Sequence, residues 1–276
     1  MNKLLYLTMS KIDLSSGVYK KIRAQAEAFE KEGFETRILF VSDGQEANYL
    51  KNNEVLTVNL QDILSEVTDY LKECYFCYVR FELLRHKNFK NILERCLQLG
   101  TKIVTEIPTF PPYQESMARF HAKIRSRNYV GAMKTFIGAG LVFIDMNLLA
   151  QKSNMVCIVA DDYQFKGTKT IRIENGIDLR NNPYSAYIPK ECVNIIAVSN
   201  FTIWNGYDRA IEGLYIYKNS NPSKKIKLIL VGPLENAPEL QKRVEELDLE
   251  DWVEFTGALS GKELDSKYAQ ADIALC

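Results

Sequence analysis

Short apolar runs recur along the whole chain and alternate with segments whose apolar positions repeat every three or four residues. In the second half the runs are Val193–Val198, Ile226–Val231, Trp252–Phe255 and Asp272–Cys276. Runs with so little polar alternation predict strands buried on both faces, and the helical segments between them are the crossovers that parallel strands require. In the first half the same pattern predicts strands near Leu4–Thr8, Thr36–Val41, Val55–Asn59, Tyr75–Phe81, Lys102–Ile107, Leu141–Ile144 and Met155–Val159. One predicted helix carries Val18, Ile22, Ala26 and Phe29 on a single stripe and ends at Glu32-Gly33; another spans Lys87 to Leu99 and ends at Gly100. Glycine is the usual residue just past a helix C-terminus. The fold class is therefore α/β, with two Rossmann-like parallel-sheet domains. A polar Asn/Pro/Tyr segment, Pro183–Pro189, reads as the linker, giving domains 1–188 and 189–276. The last run, ending at Cys276, has no crossover helix after it, so the second domain reads as incomplete. Ligands of such sheets sit beyond the carboxyl ends of the strands.

At 276 residues, two domains is the better expectation than one. Apolar content of 46% and charged content of 25% are ordinary for a globular protein. The 35 basic and 35 acidic residues cancel, which argues against a whole-protein pull toward nucleic acid. No apolar run approaches the roughly 20 residues of a membrane helix, and Met1–Thr8 reads as a first buried strand rather than a leader. Six cysteines scattered through strands and helices suit a reducing cytoplasm. Cys74 and Cys77 form a C-x-x-C, but no second pair or nearby His completes a zinc site, so both read as core.

Candidate chemistry collects at strand ends. Loop Met9–Gly17 ends in Ser15-Ser16-Gly17 and opens a helix, whose free amides and positive dipole end suit a phosphate; an ordinary capped turn fits equally. It lacks both the G-x-G-x-x-G and Walker A patterns. Thr105 to Tyr113 follows a strand and is too proline-rich for a helix, leaving Glu106 at a strand's carboxyl end. A carboxylate there takes a proton from a hydroxyl, stabilises developing positive charge, or caps a turn. In the second half, loop Asn200–Gly206 leads into a helix with Asp208, Ile211, Leu214 and Tyr215, and Val231-Gly232-Pro233 ends the next strand. Together these two loops could cradle a nucleotide, although capping explains each alone. Ser116–Ile144 holds Arg119, Lys123, Arg125, Arg127 and Lys134, interleaved with Met117, Phe120, Ile124 and Tyr129, and has no acidic residue. Such a segment is a solvated helix face or rests on anionic lipid or a lipid-linked phosphate.

Taken in order, these segments resemble the retaining glycosyltransferases of family 4. Ser16-Gly17-Val18 and the helix to Gly33-Phe34-Glu35-Thr36 are similar to that family's glycine loop and the strand that follows. Ile173-Glu174-Asn175-Gly176-Ile177-Asp178 resembles its P-N-G-I-D signature. Asn205-Gly206-Tyr207-Asp208 stands where the family has Lys-Gly-x-Asp, and Leu230–Pro233, Trp252–Gly257 and Tyr268–Ile273 follow in family order. Glu106-Ile107-Pro108-Thr109-Phe110-Pro111 and Trp204-Asn205-Gly206-Tyr207-Asp208-Arg209 look like motifs of its polysaccharide-assembly enzymes, those that build capsule or exopolysaccharide.

The resemblance implies a GT-B fold whose two domains face a cleft. It implies sugar transfer from a nucleotide-sugar, a substrate rather than a cofactor, to a lipid-linked or growing polysaccharide acceptor with retained configuration and no obligatory metal. It makes Glu106 the catalytic candidate and Ser16, Gly17, Asn200, Asn205, Gly206 and Gly232 the donor-binding candidates. With the basic segment, it makes Arg80, Tyr113, Lys123, Arg125 and Arg127 candidates for the acceptor or a lipid phosphate, and it puts the enzyme in the cytoplasm at the inner face of the membrane. Departures from the pattern are Pro108 in place of a His, Asn205 in place of a Lys, and Ser199 near an expected Arg. A Glu-x7-Glu motif that grips the donor is expected beyond Cys276, so the chain as it stands should transfer sugar poorly. The departures keep two alternatives open: a non-catalytic subunit supporting a transferase, and a nucleotide-sugar epimerase of the same fold.

Overall fold

A computed structural model describes all residues except 1, 14–15, 43, 52–53, 83, 85, 112–113, 160–162, 175, 177–191, 221 and 276, and the side chains of 114, 115 and 204. The chain divides into two compact units, Met1–Gly176 and Ile177–Cys276. The expected linker Pro183–Pro189, the expected 188/189 boundary and Asn175, Ile177 and Asp178 of the Ile173–Asp178 motif lie outside the described residues.

The first unit is built on one sheet of eight strands: β1 (Asn2–Thr8), β2 (Phe34–Phe40), β3 (Glu46–Lys51), β4 (Glu54–Asn59), β5 (Cys74–Arg80), β6 (Ile103–Ile107), β7 (Met155–Ile158) and β8 (Lys169–Arg172), in the order β4-β3-β2-β1-β5-β6-β7-β8. Its helices are α1 (Gly17–Lys31), α2 (Leu60–Glu73), α3 (Lys87–Leu99), α4 (Gln114–Arg125) and α5 (Tyr129–Lys152). Strand alternation distributes the core. Leu4 and Tyr6 face one side with Tyr19, Ile22 and Ala26 of α1, while Leu5 and Leu7 face the other with Ile63 and Val67 of α2 and Phe89 and Ile92 of α3. The α1 stripe starts at Tyr19, 7% exposed, because Val18 at the helix start is 43% exposed. Gly33, at φ 87°, ends the turn after α1 in the left-handed region. A Cβ there meets no atom, so Gly33→Ala carries backbone strain alone and should cost about 1–2 kcal/mol of stability, measurable by urea unfolding.

Three expectations change. The sheet is not wholly parallel, because β2–β3 and β3–β4 pair antiparallel and add an edge hairpin. The β3 sequence Glu-Ala-Asn-Tyr-Leu-Lys and the β8 sequence Lys-Thr-Ile-Arg are too polar to read as buried strands. Leu141–Ile144, expected as a strand, lies in the middle of α5. That helix has 24 residues and holds an 18-residue stretch with a mean hydropathy of 1.4, so one segment is long and apolar enough to cross a membrane after all. Lys134, Asp145 and interspersed glycines broke its apolar run in the sequence, and its apolar residues occupy all sides, which hides the helical period.

The second unit has a four-stranded, all-parallel sheet: β9 (Cys192–Val198), β10 (Lys225–Val231), β11 (Val253–Gly257) and β12 (Ile273–Leu275), in the order β11-β10-β9-β12. Its helices are α6 (Tyr207–Asn219), α7 (Pro238–Glu246) and α8 (Gly261–Gln270). Tyr207, Ile211 and Leu214 of α6 pack with Leu228 and Leu230 of β10, whereas Tyr215 is exposed.

Candidate functional site

In the first unit, Arg80 and Glu106 are direct neighbours at the carboxyl ends of β5 and β6. Adjacent partners on parallel strands share a face, and here it is the face covered by α1. Glu106 has no solvent exposure and accepts hydrogen bonds on both oxygens: Oε1 from Lys21 Nζ at 2.7 Å and Arg80 NH1 at 3.2 Å, Oε2 from Gln25 Nε2 at 3.0 Å and Tyr78 OH at 3.1 Å. Lys21 and Gln25, four apart on α1, reach it from one helical edge. Gln25 also accepts from Tyr6 OH at 2.8 Å. Burial pushes the Glu106 carboxyl up, but the Lys21 hydrogen bond and the Arg80 and Lys21 charges outweigh it and hold it below the usual carboxylate range. Burial, reinforced by the Glu106 charge, pushes the Tyr6 and Tyr78 hydroxyls far up, so both stay protonated donors. This arrangement makes Glu106 the ionised hub of a buried network, with its acceptor positions occupied by four donors.

Two residues beyond Arg80, Glu82 behaves in the opposite way. Its burial raises the carboxyl's pKa, only partly offset by the Arg80 and His86 charges and the Met9 amide hydrogen bond. It lies at the same sheet edge, beside the segment after β1 that leads to α1. A partly exposed carboxyl with a raised pKa is a candidate proton donor. The sequence reading passed over it; its one signal there was a carboxylate at the end of an apolar strand.

At the start of α1, Ser16 Oγ caps the helix by accepting from Val18 N at 3.2 Å. Gly17 follows with no atom near its potential Cβ. Nothing in the local packing demands glycine there. Of the acceptor candidates, Arg80 is 8% exposed and bound to Glu106, and Tyr113 lies outside the described residues. Lys123 donates to Thr135 Oγ1 at 2.8 Å, tying α4 to α5. Arg125 ends α4, and Arg127 turns the chain toward α5 at φ 59°. Structure therefore separates these into a sheet-edge residue and a helix-hairpin group. Cys74 and Cys77 both lie against the first unit's core. Burial pushes the Cys74 thiol up to about 12, and the Cys96 hydrogen bond and burial raise Cys77, which disfavours the thiolate that metal or redox chemistry needs.

In the second unit, parallel pairing of β9 with β10 puts the loops after both strands on one sheet edge. The first, Ser199–Gly206, contains a 3₁₀ turn at Ile203–Asn205 and precedes α6. Asn205 Oδ1 accepts from Thr202 N at 2.8 Å and from Thr202 Oγ1 at 2.6 Å, forming a capping box. Asn200 O accepts from Asn236 Nδ2 at 3.1 Å, which fastens this loop to the turn after β10. Phe201, 6% exposed, sits at φ 52°, a strained conformation for an aromatic residue, held by packing on Tyr207 and Phe255. A Cβ on Gly232 would run into Ser199 O and lie 2.8 Å from the Phe201 ring, so the two loops touch where only glycine fits. Gly206 opens α6 at φ 70° with no side-chain cap. Over it folds Arg209, whose NH2 would be 2.9 Å from a Gly206 Cβ. Thus a guanidinium does lie at this helix start, where the sequence suggested that cations were lost at Asn205 and Ser199. An Arg three residues past a glycine, as in Gly206-Tyr207-Asp208-Arg209, does not by itself announce a side chain folded back over the helix start, so in the sequence Arg209 stands only as part of a motif.

Residues 185–276 match the family model described as glycosyl transferases group 1. No curated protein matches the chain. Among solved structures, it is similar to a glycosyltransferase from Rickettsia africae (13% identity, TM-score 0.61, covering 99% of this chain and 73% of that one). It is also similar to Anabaena Alr3699/HepE in complex with UDP and glucose (15% identity, TM-score 0.56, 99% and 73%). A third is the pneumococcal O-GlcNAc transferase GtfA in complex with UDP and GlcNAc (10% identity, TM-score 0.58, 99% and 79%). At these identities the likeness shows the fold, two Rossmann-like units of the GT-B class.

Proposed function

We propose that the protein transfers a sugar from a nucleotide-sugar to a hydroxyl of a lipid-linked or growing polysaccharide, in the cytoplasm and with retention of configuration. The observation that carries this reading is the glycosyl transferases group 1 match over residues 185–276. It falls on the unit whose two sheet-edge loops meet at Gly232. A leaving nucleoside diphosphate gains negative charge as the glycosidic bond breaks. Fixed backbone dipoles and a cation aimed at that charge lower the barrier without needing to reorganise. At the start of α6 the helix dipole and Arg209 supply both, and Gly17 offers a second uncrowded helix start in the first unit. Glu106 acts as a positioning residue for Lys21 and α1, while Glu82, whose burial raises its carboxyl's pKa, is a second carboxyl at the same sheet edge.

Donor turnover by the full-length protein, with cell-membrane extract as acceptor, tests the reading. UDP-sugars come first because the Anabaena and pneumococcal neighbours hold UDP. Sugar incorporation into lipid or polysaccharide is expected; no turnover of any UDP-, GDP- or dTDP-sugar would sink the proposal. Arg209→Ala should weaken donor binding about tenfold or more, the worth of a charge-assisted hydrogen bond, with little loss of stability at its exposed helix start. Unchanged donor affinity by calorimetry would remove Arg209 from the site. A second reading, a supporting subunit, is favoured by Asn205 spending its side-chain oxygen on Thr202. Co-purification with an active transferase, without turnover of its own, would favour it.

A further inference from the structure

We infer that the outer face of α5 docks on an anionic lipid bilayer, with the helix lying in the plane of the surface. The inference stands on this face alone and does not rest on sugar transfer. Tyr129 (64% exposed), Val130 (70%), Met133 (59%), Ile137 (55%) and Ile144 (53%) head a row of apolar side chains along the helix. Phe136, Leu141, Phe143 and Leu148 continue it, each more than two-fifths exposed. At 100° per residue these positions fall in one arc of about 160°, running roughly 28 Å along the axis. Their combined apolar surface is on the order of 1,000 Å², above the roughly 300–600 Å² of the largest patch on a typical monomer.

The opposite face of α5 is committed to the fold. Met146, Leu149 and Ala150 are buried, Met146 and Ala150 pack with Ile107 and Val156, and Asp145 Oδ2 accepts from Leu84 N at 3.0 Å. With its C-terminal third anchored in this way and its first half tied to α4 through Lys123 and Thr135, α5 cannot cross a bilayer, despite its length, without tearing these contacts out. It can lie on one, because the apolar row extends from its first turn to its last.

Charge selects the partner. Arg125 and Arg127 at the α4–α5 turn and Lys134 at the arc's edge are exposed, and no Asp or Glu occurs from Ser116 to Ile144. An apolar stripe rimmed by cations fits acyl chains below anionic headgroups. A second copy on the same face would bring like charges together with no acid in the segment to pair them.

Flotation of the full-length protein with phosphatidylcholine vesicles, with and without phosphatidylglycerol, in low and high salt, tests this. Binding should require phosphatidylglycerol and weaken in high salt. Ile137→Ser with Ile144→Ser should lower the apparent affinity at least tenfold. Arg125→Gln, Arg127→Gln and Lys134→Gln together should lower it about 100-fold in low salt. Unchanged circular dichroism must accompany both; if the apolar variant fails to fold, the charge variant alone decides. Failure to float, or equal flotation on neutral vesicles, overturns the inference. A concentration-dependent dimer that Ile137→Ser with Ile144→Ser converts to monomer also overturns it, assigning the face to a second copy.

Discussion

Glu106→Ala should cost the first unit about 3–5 kcal/mol of stability, read as a shift in its denaturant midpoint. The substitution removes the shared ion-pair partner of Lys21 and Arg80, leaving the nearly buried Arg80 with only the longer-range charge of Glu82 to offset it. It also strands the Gln25 amide and the Tyr78 hydroxyl. Glu106→Gln restores two polar atoms but no charge, so it should recover only part of the loss. The pH dependence has a definite sign. Because the folded-state pKa is depressed, the carboxylate's contribution is present above its unfolded pKa of about 4.3 and disappears as pH falls through the lower folded value. The stability gap between wild type and Glu106→Gln should therefore be widest near neutrality and close below about pH 4. An equal gap at both ends of that range would mean that packing, not charge, sets the cost.

The second large effect is at Gly232. Gly232→Ala should destabilise the second unit by about 1–3 kcal/mol or more and abolish donor binding, because the added methyl collides with backbone as well as the Phe201 ring. Ser199 O cannot move aside easily, since Ser199 N donates to Val231 O at 3.0 Å and Gly232 N donates to Gly257 O at 3.0 Å. The strained Phe201 backbone would have to shift as well. Donor titration calorimetry beside thermal unfolding separates the effects. Wild-type donor affinity in a merely less stable protein would show that this contact serves the fold alone.

The buried parallel strands and the α1 and α3 boundaries were legible in the sequence, because double burial writes itself as uninterrupted apolar runs and glycine marks the helix ends. The inner hairpin strand β3 and the edge strand β8 were not, since Glu-Ala-Asn-Tyr-Leu-Lys and Lys-Thr-Ile-Arg carry too few apolar residues to mark a buried strand. Leu141–Ile144 misled for a related reason: four strand-favouring residues inside a helix that is apolar on every side carry no helical period. Strand-end placement made Glu106 visible. Its character was hidden because Lys21 and Gln25 arrive from α1, more than 80 residues earlier in the chain. Glu82 and Arg209 acquire their interest from burial and from a folded-back side chain, neither of which a residue type can announce.

The buried network also fixes something that hydrophobic contacts leave loose. Tyr19, Ile22 and Ala26 would tolerate a small slide of α1 along its own axis, since apolar contact has little directionality. Hydrogen bonds to two particular carboxylate oxygens do not, so Lys21 and Gln25 act as an axial stop. Replacing Glu106, Lys21 and Arg80 together by well-packed apolar residues could leave the unit as stable or more so. What it should lose is registration: the height at which Ser16 and Gly17 stand over the sheet edge would become an average over several positions. The ion pairs then matter less as a source of stability than as a ruler that sets the position of the first loop.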